Sequence, residues 1–331
     1  RPGGEEYLAA SASGTDILLA DPRFLRQDPG TYNNVGLVLA LTDGRVDTRA
    51  ESYTTVSKYQ PGEQIVNRLL ELYSGQDAAG VKPVQGQFRT RLVSVYSPAG
   101  GAGKTSIAMG LAARMTAQGK KVLCLSLESI NSMAAVLPGT GSGGLTPVLL
   151  ALTGDKAKLP ARVETSKTRD RVFNIEFFPA HDCFLELAEV NNQDLGYLLL
   201  TMKELGRYEA IIIDMDSAAT GQAITVFDHC DRIIIVTVCE QVGLFKTRAF
   251  LDQMDRIPEH GGPGFLEKLL TVVNKWDPGA GFSPDRYGFR EFFTVPFIRD
   301  LWTCEGDRCV FDHRAIFAGA LTGLAKAVVK E

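Results

Sequence analysis

The chain has 331 residues, room for about two domains. Apolar residues make up 45% and charged residues 22%, ordinary values for a globular protein, and the formal net charge of −4 excludes a general attraction to nucleic acid. No apolar run reaches the roughly 18 residues of a membrane span, and the scattered cysteines read as buried free thiols, which predicts a cytoplasmic protein.

The first block is short. "TDILLAD", "VGLVLALT" and "YTTVSKY" each read as a strand, and Ile65, Leu69 and Leu72 fall on one face of a helix that follows. So few strands bury too little apolar surface to make a full domain. The stretch "SGQDAAGVKPVQGQ" has no apolar periodicity and reads as a linker.

The second block alternates strand and helix throughout. "RLVSVYS" is a strand, and a helix opened by Thr105 runs to near Gly119. "KVLCLSLE" is the next strand, with the Gly-rich loop "PGTGSGG" after it. "VFNIEFFPA", "YEAIIIDMD", "DRIIIVTV", "LLTVVNKW" and "FFTVPFI" continue the series. Near-continuous Val/Ile/Leu strands are what a parallel sheet covered on both faces requires. The expected fold is α/β, a doubly wound, mostly parallel sheet.

The chemistry concentrates in "SVYSPAGGAGKTSIAMGL". Gly100, Gly101 and Gly103 let the backbone turn and aim its N–H groups inward, as a phosphate-binding loop does. Lys104 reaches the terminal phosphates and Thr105 places its hydroxyl on Mg²⁺. The expected nucleotide contacts are Gly100, Gly101, Ala102, Gly103, Lys104, Thr105 and Ser106, with the positive end of the helix behind them. Two positions depart from the usual pattern: Pro98 stands where a first glycine is normal, and alanine stands at position 99.

A Mg²⁺-nucleotide also needs carboxylates on neighbouring strands. Asp214, ending "AIIID", is the expected Walker B metal ligand beside Thr105. Asp216 just beyond it is a weaker candidate and reads as a solvated loop charge. Glu128 either holds the attacking water or is a plain strand-end charge. Asn274, in "VVNKWD", either reads a base edge or ends a strand, and the loop around Pro296 would close on the same base.

These motifs together resemble the ParA/MinD superfamily of deviant Walker A ATPases. The residues that carry the resemblance are "GGAGKTS", "IIIDMD", "DRIIIVTVCEQVG", "VVNK" and "VPF", and it covers residue 91 to the end of the chain. Within the superfamily, "YSPAGGAGKTS" is similar to the TadZ/CpaE branch, which localises type IV (Tad/Flp) pilus machinery. The resemblance implies ATP and Mg²⁺ as ligands, a homodimer, and pilus or secretion assembly proteins or a polar landmark as partners. Lys104, Asp214 and Glu128 become the expected catalytic set, and Thr105 and Asp214 the metal set. The implied location is cytoplasmic, polar or at the inner face of the membrane, with any membrane association peripheral.

The same resemblance makes residues 1–75 a partial, atypical receiver-like domain, 76–90 a linker and 91–331 the ATPase domain. Asp21, Thr42 and Lys58 then match the phosphoacceptor, switch hydroxyl and cationic partner of a receiver. Its first two strands and first helix would precede Arg1. A degenerate receiver used for docking is expected.

In most of the superfamily a lysine at position 99 reaches across the dimer to the partner's phosphates. Alanine cannot, so the resemblance implies nucleotide binding with weak hydrolysis. The competing reading is a metabolic enzyme, ligase-type, of the same P-loop class. The stretch from Ala315 to Val329 puts Ile316, Phe317, Ala320, Leu321, Leu324 and Val328 on one face. With little basic charge opposite them, a helix packed on the sheet is expected rather than a membrane anchor.

Overall fold

The computed structural model describes residues 15–26, 28, 32, 35–43, 50–62, 64–65, 68–69, 72, 88–137, 144–180, 183–257, 260, 263–277, 279, 287, 289, 291–305, 308–312 and 316–330. The chain divides into two compact units, residues 1–81 and 82–331. Most of the expected linker, and nearly all of "PGTGSGG", lie outside the described residues.

The smaller unit is a parallel sheet of β1 (Thr15–Ala20), β2 (Val35–Thr42) and β3 (Thr54–Ser57) in that order. Leu37, Leu39 and Val56 form a buried cluster on one face, and Ile65, Leu69 and Leu72 pack against it as the 3.6-residue period predicts. Leu25, Ala40, Ala50 and Tyr53 cover the other face.

The larger unit is built on an eight-stranded sheet of order β11-β10-β9-β4-β8-β5-β7-β6. Its strands are β4 (Arg91–Tyr96), β5 (Val122–Leu127), β6 (Thr168–Arg169), β7 (Glu176–Phe177), β8 (Ala210–Met215), β9 (Arg232–Val238), β10 (Leu269–Trp276) and β11 (Phe292–Pro296). All neighbours are parallel except the edge strand β6. Side chains alternate between two cores: Leu92, Tyr96, Ile211, Ile213, Ile233 and Ile235 join one. Val93, Val95, Ile212, Ile234 and Val236 join the other. Both faces are therefore dry, which is why these strands are apolar without a polar alternation.

One face is covered by α1 (Lys104–Ala117) with α9 (Ile316–Ala320) and α10 (Thr322–Val329). The other carries α2 (Thr146–Thr153), α3 (Leu159–Ser166), α5 (Asn192–Glu204), α6 (Gly221–His229) and α7 (Gln241–Met254), with the shorter α4 (Phe184–Ala188) and α8 (Pro263–Lys268). The C-terminal segment packs on the sheet as expected: Phe317, Leu321, Leu324 and Val328 are buried. It is two helices rather than one, parted at Leu321. Phe317 lies so close to α1 that a Cβ at Gly110 would sit 2.1 Å from its ring.

Two expectations need correction. "VFNIEFFPA" gives only the two-residue β7, because Asn174 takes a left-handed φ of 56° and breaks the extended run. The antiparallel hairpin of β12 (Trp302–Glu305) and β13 (Arg308–Phe311) matches none of the expected strands. Among the described residues, no helix is long and apolar enough to cross a membrane.

Candidate functional site

β4 is the topological switch of the sheet. It lies between β8 and β9, and the chain leaves it for β5 on the far side of β8. The crevice at the carboxyl ends of these strands is where an open α/β sheet binds its ligand. The loop from Pro98 to Gly103 fills that crevice. Gly101 and Gly103 have φ of 72° and 93°, the region that glycine alone enters cheaply. A Cβ on Gly103 would lie 2.3 Å from Asn274 Nδ2, so both conformation and space demand glycine there. At Gly100 and Gly101 nothing lies within 4 Å of where a Cβ would sit, which leaves the cradle open. α1 starts at Lys104 with no side-chain cap, so its first N–H groups are free for an anion.

The expected residues converge. Lys104 Nζ donates to Ser217 Oγ at 2.8 Å, three residues beyond Asp214. The Thr105 and Ser132 hydroxyls are 2.8 Å apart. Ser132 spends its own proton on Glu128 Oε2, and its N–H reaches the same oxygen at 3.1 Å, so Thr105 is the donor of the first bond. Thr105 and Glu128 are thus linked through Ser132.

Asp214 is fully buried, and neither of its carboxylate oxygens has a hydrogen-bond partner. Burial, reinforced by the nearby charge of Glu128, pushes its pKa up to about 8. The Thr105 hydroxyl and the positive charge of Lys104 pull the other way without offsetting it. A buried, orphaned carboxylate beside a threonine hydroxyl fits a hard divalent cation. Thr105 and Asp214 are therefore a consistent Mg²⁺ set.

Other candidates sit differently from the sequence expectation. Asn274 is buried and its Nδ2 donates to Ala102 O at 2.8 Å, so its amide grips the loop backbone. Lys275, with a left-handed φ of 54°, donates to Gly101 O at 3.1 Å. Pro296 lies on β11 across from Trp276, one strand beyond Asn274. Ser106 turns away from the loop: its hydroxyl accepts from the Trp302 indole at 2.7 Å, because a side chain two positions into the helix points to a different face from the loop. Only its N–H stays available to phosphate.

Asp216 is not merely a solvated charge. Its Oδ2 accepts from Ser129 N at 2.9 Å and from Ser129 Oγ at 2.7 Å, tying the end of β8 to the end of β5. Ala99 is buried, with its carbonyl 3.5 Å from Ser217 Oγ. Tyr96, buried among Phe227 and Phe250, steadies the same segment by donating to Ser217 O at 3.2 Å. Sequence reasoning missed Ser132 and Ser217. Their one signal is position, each lying in the loop just after a candidate carboxylate.

In the smaller unit, Asp21 and Thr42 stand at or just beyond the ends of β1 and β2, and Lys58 follows β3. Asp21 pairs with Arg23 at 2.9 Å, which holds its carboxyl below the usual range, and Lys58 pairs with Asp43 at 3.5 Å.

No curated protein matches the chain in sequence. Among solved structures, a putative plasmid partition protein from Borrelia burgdorferi bound to AMPPNP is similar, at 16% identity and TM-score 0.54 over 72% of this chain and 98% of that one. MinD from Pyrococcus horikoshii with Mg-ADP is 20% identical at TM-score 0.50, over 62% and 81%. Cobyrinic acid a,c-diamide synthase from Mycobacterium smegmatis, with a bound ATP analog and magnesium, is 18% identical at TM-score 0.53, over 72% and 94%. These likenesses establish the fold. The family model described as "AAA domain" matches residues 90–265, more than half of the chain and all of the loop, Thr105, Glu128 and Asp214. On that match the chain belongs to the AAA domain family, and its fold is that of the ParA/MinD-type ATPases.

Proposed function

We propose that the protein binds Mg²⁺-ATP, hydrolyses it weakly, and acts as a localisation or assembly factor for a type IV (Tad/Flp) pilus or secretion system. The observation that carries the nucleotide part is the convergence of Lys104, Thr105 and the orphaned Asp214 around an open glycine loop. Lys104 would exchange Ser217 for a phosphate oxygen of a bound nucleotide, and the N–H groups at the start of α1 would donate to its phosphates. Thr105 and Asp214 would hold Mg²⁺, which when bound would supply positive charge to offset that of the phosphates. Glu128 orients a water once Ser132 releases it. Asn274 and Lys275 keep the loop in shape.

Weak hydrolysis follows from Ala99, which offers no cation to a second copy. The pilus role rests on the resemblance of the loop and of the smaller unit to the TadZ/CpaE branch. In that unit Asp21 and Lys58 have other partners, Arg23 and Asp43, as suits a receiver-like domain used for docking. The domain division proposed is 1–75, 76–90 and 91–331.

Single-turnover measurement with Mg²⁺-ATP tests the catalytic part. Wild type should bind ATP and turn it over far more slowly than a typical P-loop ATPase. Ala99→Lys should raise the rate in a face-to-face dimer, its stem leading the ammonium out of a buried position. Brisk wild-type hydrolysis would refute the reading. Co-purification with pilus-assembly proteins tests the cellular role, and a small-molecule co-substrate that stimulates turnover would favour a ligase-type enzyme instead.

A further inference from the structure

Glu128 and Ser217 stand just after β5 and β8, and the loops that carry them also wall a cavity. It has a volume of about 570 Å³ and lies between the ends of these strands and the start of α6. Leu187, Leu195, Met215 and Val226 give it apolar walls, and among the described residues Asp216 is its one charged lining residue. Asp216 makes no salt bridge among the described residues; the contacts of its carboxylate are to Ser129, through Oδ2.

We propose that this cavity is a second binding site, for a partner-protein segment that carries an apolar side chain next to an arginine or lysine, and that its occupancy is coupled to nucleotide. The apolar walls suit the first group. The second is selected by charge: Asp216 brings the cavity a carboxylate that no cation pairs with among the described residues, so an arginine or lysine gains a partner there. An acidic segment would meet like charge instead.

The coupling runs through contacts already described. Lys104 rests on Ser217, the residue after Asp216. Thr105 rests on Ser132, three residues after Ser129. The two Ser129–Asp216 bonds staple the loops together beside the cavity. Phosphate and Mg²⁺ draw Lys104 and Thr105 off these serines, so the walls of the cavity differ between the free and loaded protein. A ligand with different affinity for those two forms must shift nucleotide affinity by the same factor.

The test uses the whole chain with ¹³C-methyl methionine, the Met215 signal being assigned through Met215→Leu. The probes are acetyl-Leu-Arg-amide and acetyl-Leu-Glu-amide. In the nucleotide-free protein the arginine peptide should shift Met215 saturably and bind at least fivefold tighter than the glutamate peptide. Asp216→Asn should erase that preference, and Ala218→Phe, placed at an exposed lining position, should abolish binding by both while leaving the thermal midpoint unchanged. Equal affinities for the two peptides, or no saturable shift, would overturn the site. With saturating Mg²⁺-ADP the arginine peptide's affinity should change at least threefold; an unchanged value overturns the coupling. If Mg²⁺-ADP does not bind at all, the nucleotide reading and the coupling fall together, while peptide binding to the free protein still supports the cavity.

Discussion

The two flanks of the glycine loop are built differently. On the β10 side, Asn274 and Lys275 grip two of its carbonyls, at 2.8 and 3.1 Å, and Asn274 is buried. On the β5 and β8 side, Lys104 and Thr105 rest on serine hydroxyls. A buried amide-to-carbonyl bond is costly to break, because each partner left alone loses its hydrogen bond without regaining water. An ammonium or hydroxyl on a serine exchanges readily for phosphate or metal, which offer stronger, charge-assisted bonds. The difference teaches that one flank fixes the loop and the other releases it.

The largest expected break is Lys104→Ala. It removes the loop's own cation and should weaken Mg²⁺-ATP binding by about 100-fold or more in isothermal titration. Unchanged affinity would place the nucleotide elsewhere. Asn274→Ala attacks the fixed flank: it leaves Ala102 O without its donor and should cost roughly 1–3 kcal/mol of stability. Thermal unfolding should show a lower midpoint even without nucleotide, whereas no change would mean that the loop holds its shape alone.

Asp214→Asn separates the two flanks by pH. Native Asp214 keeps its proton up to about 8, while the unfolded group loses it near 3.8. Unfolding between those values therefore releases a proton, and the contribution of this group to stability falls as pH rises through the window. Asparagine carries no such dependence. The variant should melt higher than wild type at pH 8, with the gap closing towards pH 4, and should lose Mg²⁺ dependence of nucleotide binding. A gap independent of pH would show that Asp214 is ionised in the free protein.

Ser217→Ala should have the smallest effect and the opposite sign. Removing the resting place of Lys104 should tighten ATP binding about two- to fivefold, in line with the modest net worth of one hydrogen bond. Weaker binding would show that Ser217 serves the nucleotide directly.

Much of this was legible from order along the chain. Strands β2 and β10 coincide with the runs "VGLVLALT" and "LLTVVNKW", since a strand covered on both faces is apolar over most of its length. Lys104, Thr105 and Asp214 were legible because phosphate and Mg²⁺ demand particular groups at particular points of a strand–loop–helix unit. The serine contacts were not. Lys104 meets Ser217 across 113 positions, and Ser106 meets Trp302 across 196. No local period encodes such pairs, because which hydroxyl meets which donor depends on strand order. The sequence names the apolar strands but not that β4 falls between β8 and β9. Asn274 makes the same point: its amide was recognisable as functional chemistry, but only the closeness of β10 to a glycine at position 103 turned it towards the loop. The sequence by itself determined which groups are present and which strands are dry. The tertiary structure decided which of those groups touch, because a hydrogen bond acts over about 3 Å and only the packed sheet brings distant loops that near.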